Sequence, residues 1–150
     1  MKNKTILPLI LLSLAIPNVY AEEKSAEQLV ASMKKADMTY RELMGVFGRS
    51  SSMMHEGILR ENKQMVEVGA NYILTHPAPN HKPWSIVKKE DQKTFKQSLL
   101  VFDKALDVHT EAMVVAANKD NWTEASEASH ALMNTCISCH AIWKDKVIEY

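Results

Sequence analysis

The sequence predicts an all-α protein, an up-down-up-down antiparallel bundle of four helices. Glycine and proline are scarce beyond the N-terminal region, and apolar residues recur at steps of three and four rather than two. Three prolines, Pro77, Pro79 and Pro83, lie in one segment, which marks the main loop. Short connections elsewhere favour antiparallel neighbouring helices around a shared core.

The N-terminal segment has the pattern of a secretory signal peptide. Lys2 and Lys4 precede an apolar run, and small residues lead up to a cleavage site after Ala21. The apolar run from residue 5 to residue 16 is shorter than the roughly 20 residues that span a bilayer. We therefore expect residues 1–21 to be removed, and residues 22–150 to form one periplasmic domain that is not an integral membrane protein.

The first two helices are predicted from their apolar spacing. The first begins near Ser25 and continues past Gly45 and Gly48, which weaken it without ending it. Its apolar stripe comprises Leu29, Met33, Ala36, Tyr40, Leu43, Phe47, Met54 and Ile58. Asn62 is the expected N-cap of a second, shorter helix, which must stop before His76 because Pro77 follows.

The last two helices follow the proline-rich loop. The third begins near Glu90, and its apolar face carries Phe95, Leu99, Phe102, Leu106, His109 and Met113. Asp120 or Asn121 caps the fourth, with Glu124 in position for a capping box. One face of the fourth helix carries Ala125, Ser129, Leu132, Cys136, Cys139 and Trp143.

The charge balance excludes one class of partner. The chain has 18 basic and 18 acidic residues, and removal of Lys2 and Lys4 with the signal leaves 16 basic residues and a formal net charge of −2. It contains no basic tract and no stretch of alternating basic and aromatic residues. We therefore expect no binding to nucleic acid.

The two cysteines carry the strongest chemical signal in the chain. Cys136, Cys139 and His140 form the motif C-x-x-C-H, in which two thiols attach a haem covalently and the histidine ligates its iron. A disulfide between these cysteines would close a very small loop and stabilise little. A redox-active dithiol would be expected near a helix start in a βαβ setting, which the sequence lacks. The motif therefore predicts one haem c.

A second axial ligand must come from earlier in the chain, since no Met or His follows His140. At about 1.5 Å per residue, the level of His140 in the bundle corresponds to residues 31–45 of the first helix. Three methionines fall in or near this window: Met33, Met38 and Met44. His109 lies too far along the third helix to reach the iron. His130 is on the same helix as His140 and cannot reach across the haem. His76 and His81 lie on the loop at the haem end, where either could approach the iron or a propionate, but we favour solvated side chains.

A C-x-x-C-H close to the C-terminus of an exported helical chain resembles the class II cytochromes c, the cytochrome c-prime family and its low-spin relatives. In that family an Arg on the first helix lies near the propionates, and the residue four positions later faces the distal side of the iron. Arg41 and Met44 are three residues apart, one short of this spacing. Aligning Arg41 puts Gly45 on the distal side, whereas aligning Met44 puts Tyr40 in place of the Arg. We expect Met44 as the sixth ligand, with Met38 and an open site as alternatives.

The expected function is electron transfer through a His/Met-ligated haem, without enzyme activity. The partners would be redox proteins of the periplasm, and the resemblance also allows a homodimer. The alternative function is binding of NO or CO at an open iron, beside an apolar wall formed by Leu43, Met44 and Phe47. Trp143 is expected to pack on or beside the porphyrin, or to serve as an ordinary core tryptophan.

Overall fold

The computed structural model describes residues 24–148 and is predominantly helical, as expected for an all-α protein. The proposed signal peptide lies outside the described residues. Five α-helices and two short strands are present in the described range: α1 Ala26–Ser32, β1 Lys35–Ala36, α2 Tyr40–Leu59, α3 Lys63–Leu74, β2 Ala78–Pro79, α4 Gln92–Asn118 and α5 Trp122–Trp143. Short 3-10 turns at Pro83–Ile86 and Lys144–Lys146 complete these elements.

The prediction of one long first helix is wrong, because the chain is extended between α1 and α2. Ser25 caps α1 in a capping box with Gln28, and a second capping box, between Thr39 and Glu42, starts α2. Between the helices, β1 pairs in parallel with β2 from the segment after α3. This non-local pairing interrupts a stripe whose spacing alone would continue as a helix.

The other predicted helix boundaries agree with the structure to within a few residues. The Asn62 side chain accepts a hydrogen bond from the Met65 amide at 3.1 Å, so it caps α3 as expected. Helix α3 ends at Leu74, before His76. The Asn121 side chain accepts from the Glu124 amide at 3.3 Å and caps α5.

The four longer helices each pack against two others: α2 against α3 and α5, and α4 against α3 and α5. Three-residue turns join α2 to α3 and α4 to α5, and Glu61 and Asp120 adopt positive φ in these turns. The Lys63 ammonium binds the Asp120 carboxylate at 2.8 Å and so connects the two turns. We call this the turn end of the molecule. Within residues 24–148, no helix is both long and apolar enough to cross a membrane.

The opposite end, which we call the cavity end, is where α2 begins and α5 finishes. Two buried clusters form the core. One extends from the turn end to the start of α2 and includes Leu43, Phe47, Met54, Ile58, Val66, Ala70, Ile73, Met113, Ala116, Ala117, Ala125 and Leu132. The second, at the cavity end, comprises Ala26, Val30, Ala78, Trp84, Ile86, Val87, Phe95 and Trp143. The aromatic second cluster frames the candidate site.

Candidate functional site

A cavity of about 250 Å³ opens between α2, α4 and α5 at the cavity end. The segment between α3 and α4 forms another part of its wall, and most of its lining is apolar. The side chains that line the cavity include Tyr40, Leu43, Met44, Phe47, His76, Phe95, Phe102, Asp103, Cys136, Cys139 and His140. The cavity is therefore a partly enclosed, mostly apolar space with a few polar groups at its wall.

Helix α5 contributes the three residues of the C-x-x-C-H motif to this cavity. Cys136, Cys139 and His140 all line it, because positions three and four residues apart share one face of a helix. Both thiols are free and half-buried, while the His140 side chain is exposed at the cavity edge. The local helix thus directs both thiols and the imidazole at one space.

The two thiols are held in their neutral form. Burial raises the pKa of the Cys136 thiol, and burial together with the neighbouring Cys136 raises that of Cys139 to about 11. Both cysteines lie in the last turns of α5, where the helix dipole disfavours negative charge. Redox-active cysteines have lowered pKa values, typically at a helix N-terminus. The site therefore lacks the electrostatics of a dithiol redox centre.

On the opposite wall, α2 brings Tyr40 and Met44 to the same cavity. Arg41 is exposed and does not line the cavity, and Gly45 lies outside it as well. Of the residues in the two alignments considered from the sequence, Tyr40 and Met44, four residues apart, are the pair that lines the cavity. Tyr40 is largely buried, and its ring lies edge-on to Phe95 at 6.3 Å between centroids. Burial, followed by the nearby Cys139 and Asp103, raises the pKa of Tyr40.

The other two methionines of the predicted window differ in position. Met33 lies just after α1 and lines the cavity. Met38 packs against the core cluster but does not line the cavity. Of the methionine candidates from the sequence, Met44 and Met33 therefore share a cavity with His140.

His76 is a cavity residue whose position the sequence did not predict, because the expected solvated side chain is in fact mostly buried. Only 11% of its side chain is exposed. Its Nδ1 lies 3.1 Å from the Pro77 carbonyl oxygen, and its Nε2 lies 3.4 Å from an Asp103 carboxylate oxygen. Its ring is edge-on to Phe47 at 4.8 Å. His76 thus forms part of the cavity wall between α2 and α4.

The electrostatics of His76 follow from these contacts. Burial alone would lower its pKa, but the hydrogen bonds to Asp103 and to the Pro77 carbonyl, with the charges of Asp103 and Asp107, raise it overall. The pKa of Asp107 is itself raised, first by burial and then by Asp103. A sequence signal for this pair existed: Asp103 interrupts the apolar run of α4 directly after Phe102.

The remaining candidates lie away from the cavity. His81, His109 and His130 do not line it; His109 borders a shallow groove between α4 and α5. Trp143 is buried and packs edge-on against Phe95 at 5.0 Å, outside the cavity lining. Its indole nitrogen is buried and has no hydrogen-bond partner among residues 24–148. Trp143 is thus a core residue that supports the wall.

In the described part of the chain, residues 24–148, no three His, Cys, Asp or Glu side chains come together as a metal site. Comparison of the chain with protein-family models, curated proteins and solved structures finds no match. The geometry of the cavity is therefore the main guide to function.

Proposed function

We propose that this chain is an exported monohaem cytochrome c of the class II type, which transfers electrons in the periplasm. In this proposal, α2 to α5 form an up-down-up-down four-helix bundle around one haem c. The observation that carries the proposal is the convergence of Cys136, Cys139 and His140 from α5 with Met44 from α2 on one apolar cavity.

The residues of the cavity fit a haem c. The thiols of Cys136 and Cys139 would hold the porphyrin through thioether bonds, and His140 would supply the proximal nitrogen to the iron. The apolar walls suit the faces of a porphyrin, and the neutral thiols are consistent with an attachment site rather than a dithiol redox pair. When bound, a haem c with two axial ligands supplies reversible one-electron transfer.

Within this proposal, each part of the chain has a defined task. Met44 would occupy the distal side of the iron from α2 and leave no position for an exogenous ligand. Leu43, Phe47 and Phe95 would exclude water from both faces, which lowers the local dielectric. The helices that carry Met44 and His140 are packed against each other, so little movement would accompany electron exchange.

A second candidate function is binding of NO or CO at an open iron. It is favoured by the open space beside Gly48, which lines the cavity and where an added Cβ would have no neighbour within 4 Å apart from the backbone of its own helix and the adjacent residues. Next to this space, Leu43 and Phe47 present an apolar wall that suits a small uncharged ligand. This function requires that Met44 does not bind the iron.

The absorption spectrum of the full chain, produced in a host that matures c-type cytochromes, separates these functions. Electron transfer predicts low-spin bands and a far-red methionine-to-ferric-iron band in the untreated protein. Met44→Ala should abolish the far-red band and produce a high-spin iron, with the haem still covalently bound. High-spin features in the untreated protein that shift with NO would support the binding function.

Met38→Ala is the matched control, because Met38 belongs to the same region but does not line the cavity. It should leave the spectrum unchanged. An unchanged spectrum in Met44→Ala, with a changed one in Met33→Ala or His76→Gln, would refute Met44 as the ligand. A colourless chain with both thiols free would refute the haem proposal itself, and the Cys136→Ser, Cys139→Ser double variant provides that reference state.

A further inference from the structure

His76 lies in the cavity wall with both of its ring nitrogens facing hydrogen-bond acceptors. Its Nδ1 is 3.1 Å from the Pro77 carbonyl oxygen, and its Nε2 is 3.4 Å from an Asp103 carboxylate oxygen. A carbonyl oxygen and an ionised carboxylate only accept hydrogen bonds, so both ring nitrogens must carry a proton to bond to them. The contacts of His76 therefore favour its charged, doubly protonated form.

The same contacts leave His76 without a free nitrogen for an iron atom. A histidine binds a metal through an unprotonated ring nitrogen, and both nitrogens of His76 are engaged by Pro77 and Asp103. The ring packs edge-on against Phe47, which is not a candidate ligand either. His76 therefore shares the cavity of Met44 and His140 without being one of the iron ligands of the proposed site.

The other titratable groups around the cavity lie on three helices. Among the described residues, those that line it are Tyr40 of α2, Asp103 of α4, and Cys136, Cys139 and His140 of α5. Asp107, one turn after Asp103, adds a further negative charge near His76. Tyr40 stays neutral because burial raises its pKa, and thioether bonds would remove the titration of both thiols. His76 is thus the cavity group best placed to exchange a proton near neutral pH.

A change of charge inside the cavity should alter the proton affinity of His76. Reduction adds one negative charge to the proposed centre, and this charge favours the protonated form of a nearby base. For two charges about 10 Å apart at an effective dielectric constant of about 20, the interaction changes a protonation equilibrium by roughly tenfold. The mostly apolar lining preserves this interaction, because apolar walls screen charges less than bulk water does.

We propose that His76, held by Asp103, is the residue at which this protein couples electron transfer to proton transfer. The inference rests on the proposed electron-transfer function and extends it. When a partner redox protein donates one electron to the iron, His76 binds a proton from solvent at Nε2. When the electron passes to an acceptor, the proton returns to solvent, and Nδ1 keeps its proton on the Pro77 carbonyl throughout. The exposed 11% of the side chain gives the proton its access to solvent.

The reduction potential of the haem-loaded chain, measured by spectroelectrochemistry between about pH 5 and pH 9, tests the coupling. For a tenfold change in proton affinity, the potential should fall by about 59 mV in total as the pH rises. Near the middle of this fall, reduction should take up about half a proton per electron. A pH indicator in weakly buffered solution measures this uptake directly.

Three variants assign the coupling to His76. His76→Gln should lose the fall in potential and the proton uptake, but keep the wild-type absorption spectrum because His76 does not bind the iron. His81→Gln is the matched control: His81 belongs to the same segment between α3 and α4 but does not line the cavity, so its replacement should change neither quantity. Asp103→Asn should move the fall to lower pH, because it removes the carboxylate that favours protonated His76. Circular dichroism verifies that each variant is folded.

Several results would overturn the proposal. The same fall in potential in the wild type and in His76→Gln would assign the coupling to other groups, such as the haem propionates, and would leave the electron-transfer function intact. A changed absorption spectrum in His76→Gln would make His76 an iron ligand instead of a proton site. An unshifted fall in Asp103→Asn would show that this carboxylate does not set the proton affinity. A colourless chain would overturn both this inference and the proposed function.

Discussion

The same helices pack closely at the turn end of the molecule and surround a cavity at the opposite end. At the turn end, three-residue turns and the Lys63–Asp120 ion pair draw the helices together, and Met54, Val66 and Met113 fill the core with no exposed surface. At the cavity end, α2, α4 and α5 surround a cavity of about 250 Å³. Aromatic side chains and the segment between α3 and α4 enclose this space.

The difference shows how one set of helices can form both a closely packed core and a cavity. Close approach of α2 and α3 depends on small residues: a Cβ on Gly69, midway along α3, would lie 2.6 Å from the Met54 Cγ of α2. At the cavity end, bulky rings such as Phe95 and Trp143 pack edge-on against one another and form a wall. The packed end contains most of the buried core and so stabilises the fold, and the open end contains the candidate site.

The largest effect should come from removing a large side chain at the packed core. Leu132 of α5 has no exposed surface. Leu132→Ala should lower the free energy of unfolding by about 2–5 kcal/mol, since the removed atoms leave a cavity among neighbours that relax only in part. Chemical denaturation followed by circular dichroism measures this change.

Met133, the next residue, is the matched control. It is 43% exposed and lines the cavity, so its side chain has few close neighbours. Met133→Ala should cost less than about 1 kcal/mol. Equal losses for Leu132→Ala and Met133→Ala would contradict the assignment of Leu132 to the packed core and of Met133 to the loosely packed cavity lining.

A smaller loss of stability should come from adding a methyl group where α2 and α3 pack closely. In Gly69→Ala the new Cβ would lie 2.6 Å from the Met54 Cγ and 2.9 Å from the Ser50 carbonyl oxygen. Helices α2 and α3 would have to separate, at a cost of about 1–3 kcal/mol. Thermal unfolding should show a lower midpoint temperature.

Gly45→Ala provides the comparison. Its added Cβ would meet only the Arg49 guanidinium at 3.4 Å, an ordinary contact with a flexible side chain. Alanine favours the helix over glycine, so this variant should gain up to about 1 kcal/mol. If both substitutions stabilised the protein, close approach of α2 and α3 at Gly69 would not be a requirement of the fold.

The sequence predicted those features that depend on local chemistry. Asn62 was identified as one helix cap and Asp120 or Asn121 as another, because such side chains satisfy amides only a few residues away; the structure shows Asn62 and Asn121 in these roles. The end of α3 followed from Pro77, which cannot continue a helix. The placement of the cysteine motif on one helical face needed only the helical period.

Features that depend on distant partners were beyond local reasoning. The break between α1 and α2 comes with pairing between β1 and β2, although the capping box of Thr39 and Glu42 was visible in the sequence. His76 turns inward because Asp103, on another helix, provides its partner. The sequence also left the choice between the Arg41 and Met44 alignments open, whereas the packing of α2 shows which residues line the cavity: Tyr40 and Met44, not Arg41.

The smallest effect should be a pH dependence of the protein's stability, which arises from a contact at the cavity end. The His76–Asp103 contact raises the pKa of His76 above its ordinary value of 6.5, despite the opposing effect of burial. The pair therefore contributes its full stability below about pH 6.5, and the contribution is lost as the pH rises through the higher folded-state pKa. Denaturation midpoints measured in steps between about pH 5 and pH 9 should fall across this window.

In His76→Gln this part of the decline should be absent, because glutamine keeps a hydrogen-bond donor near Asp103 but does not titrate. His130→Gln, on an exposed histidine outside the cavity, should follow the wild-type profile. A wild-type profile in His76→Gln would show that the contact with Asp103 does not hold a proton. If the fall of the denaturation midpoint with pH were lost equally in His76→Gln and His130→Gln, it would arise from the net charge of the protein. The packing of the cavity end would then depend on its aromatic wall and not on the His76–Asp103 contact.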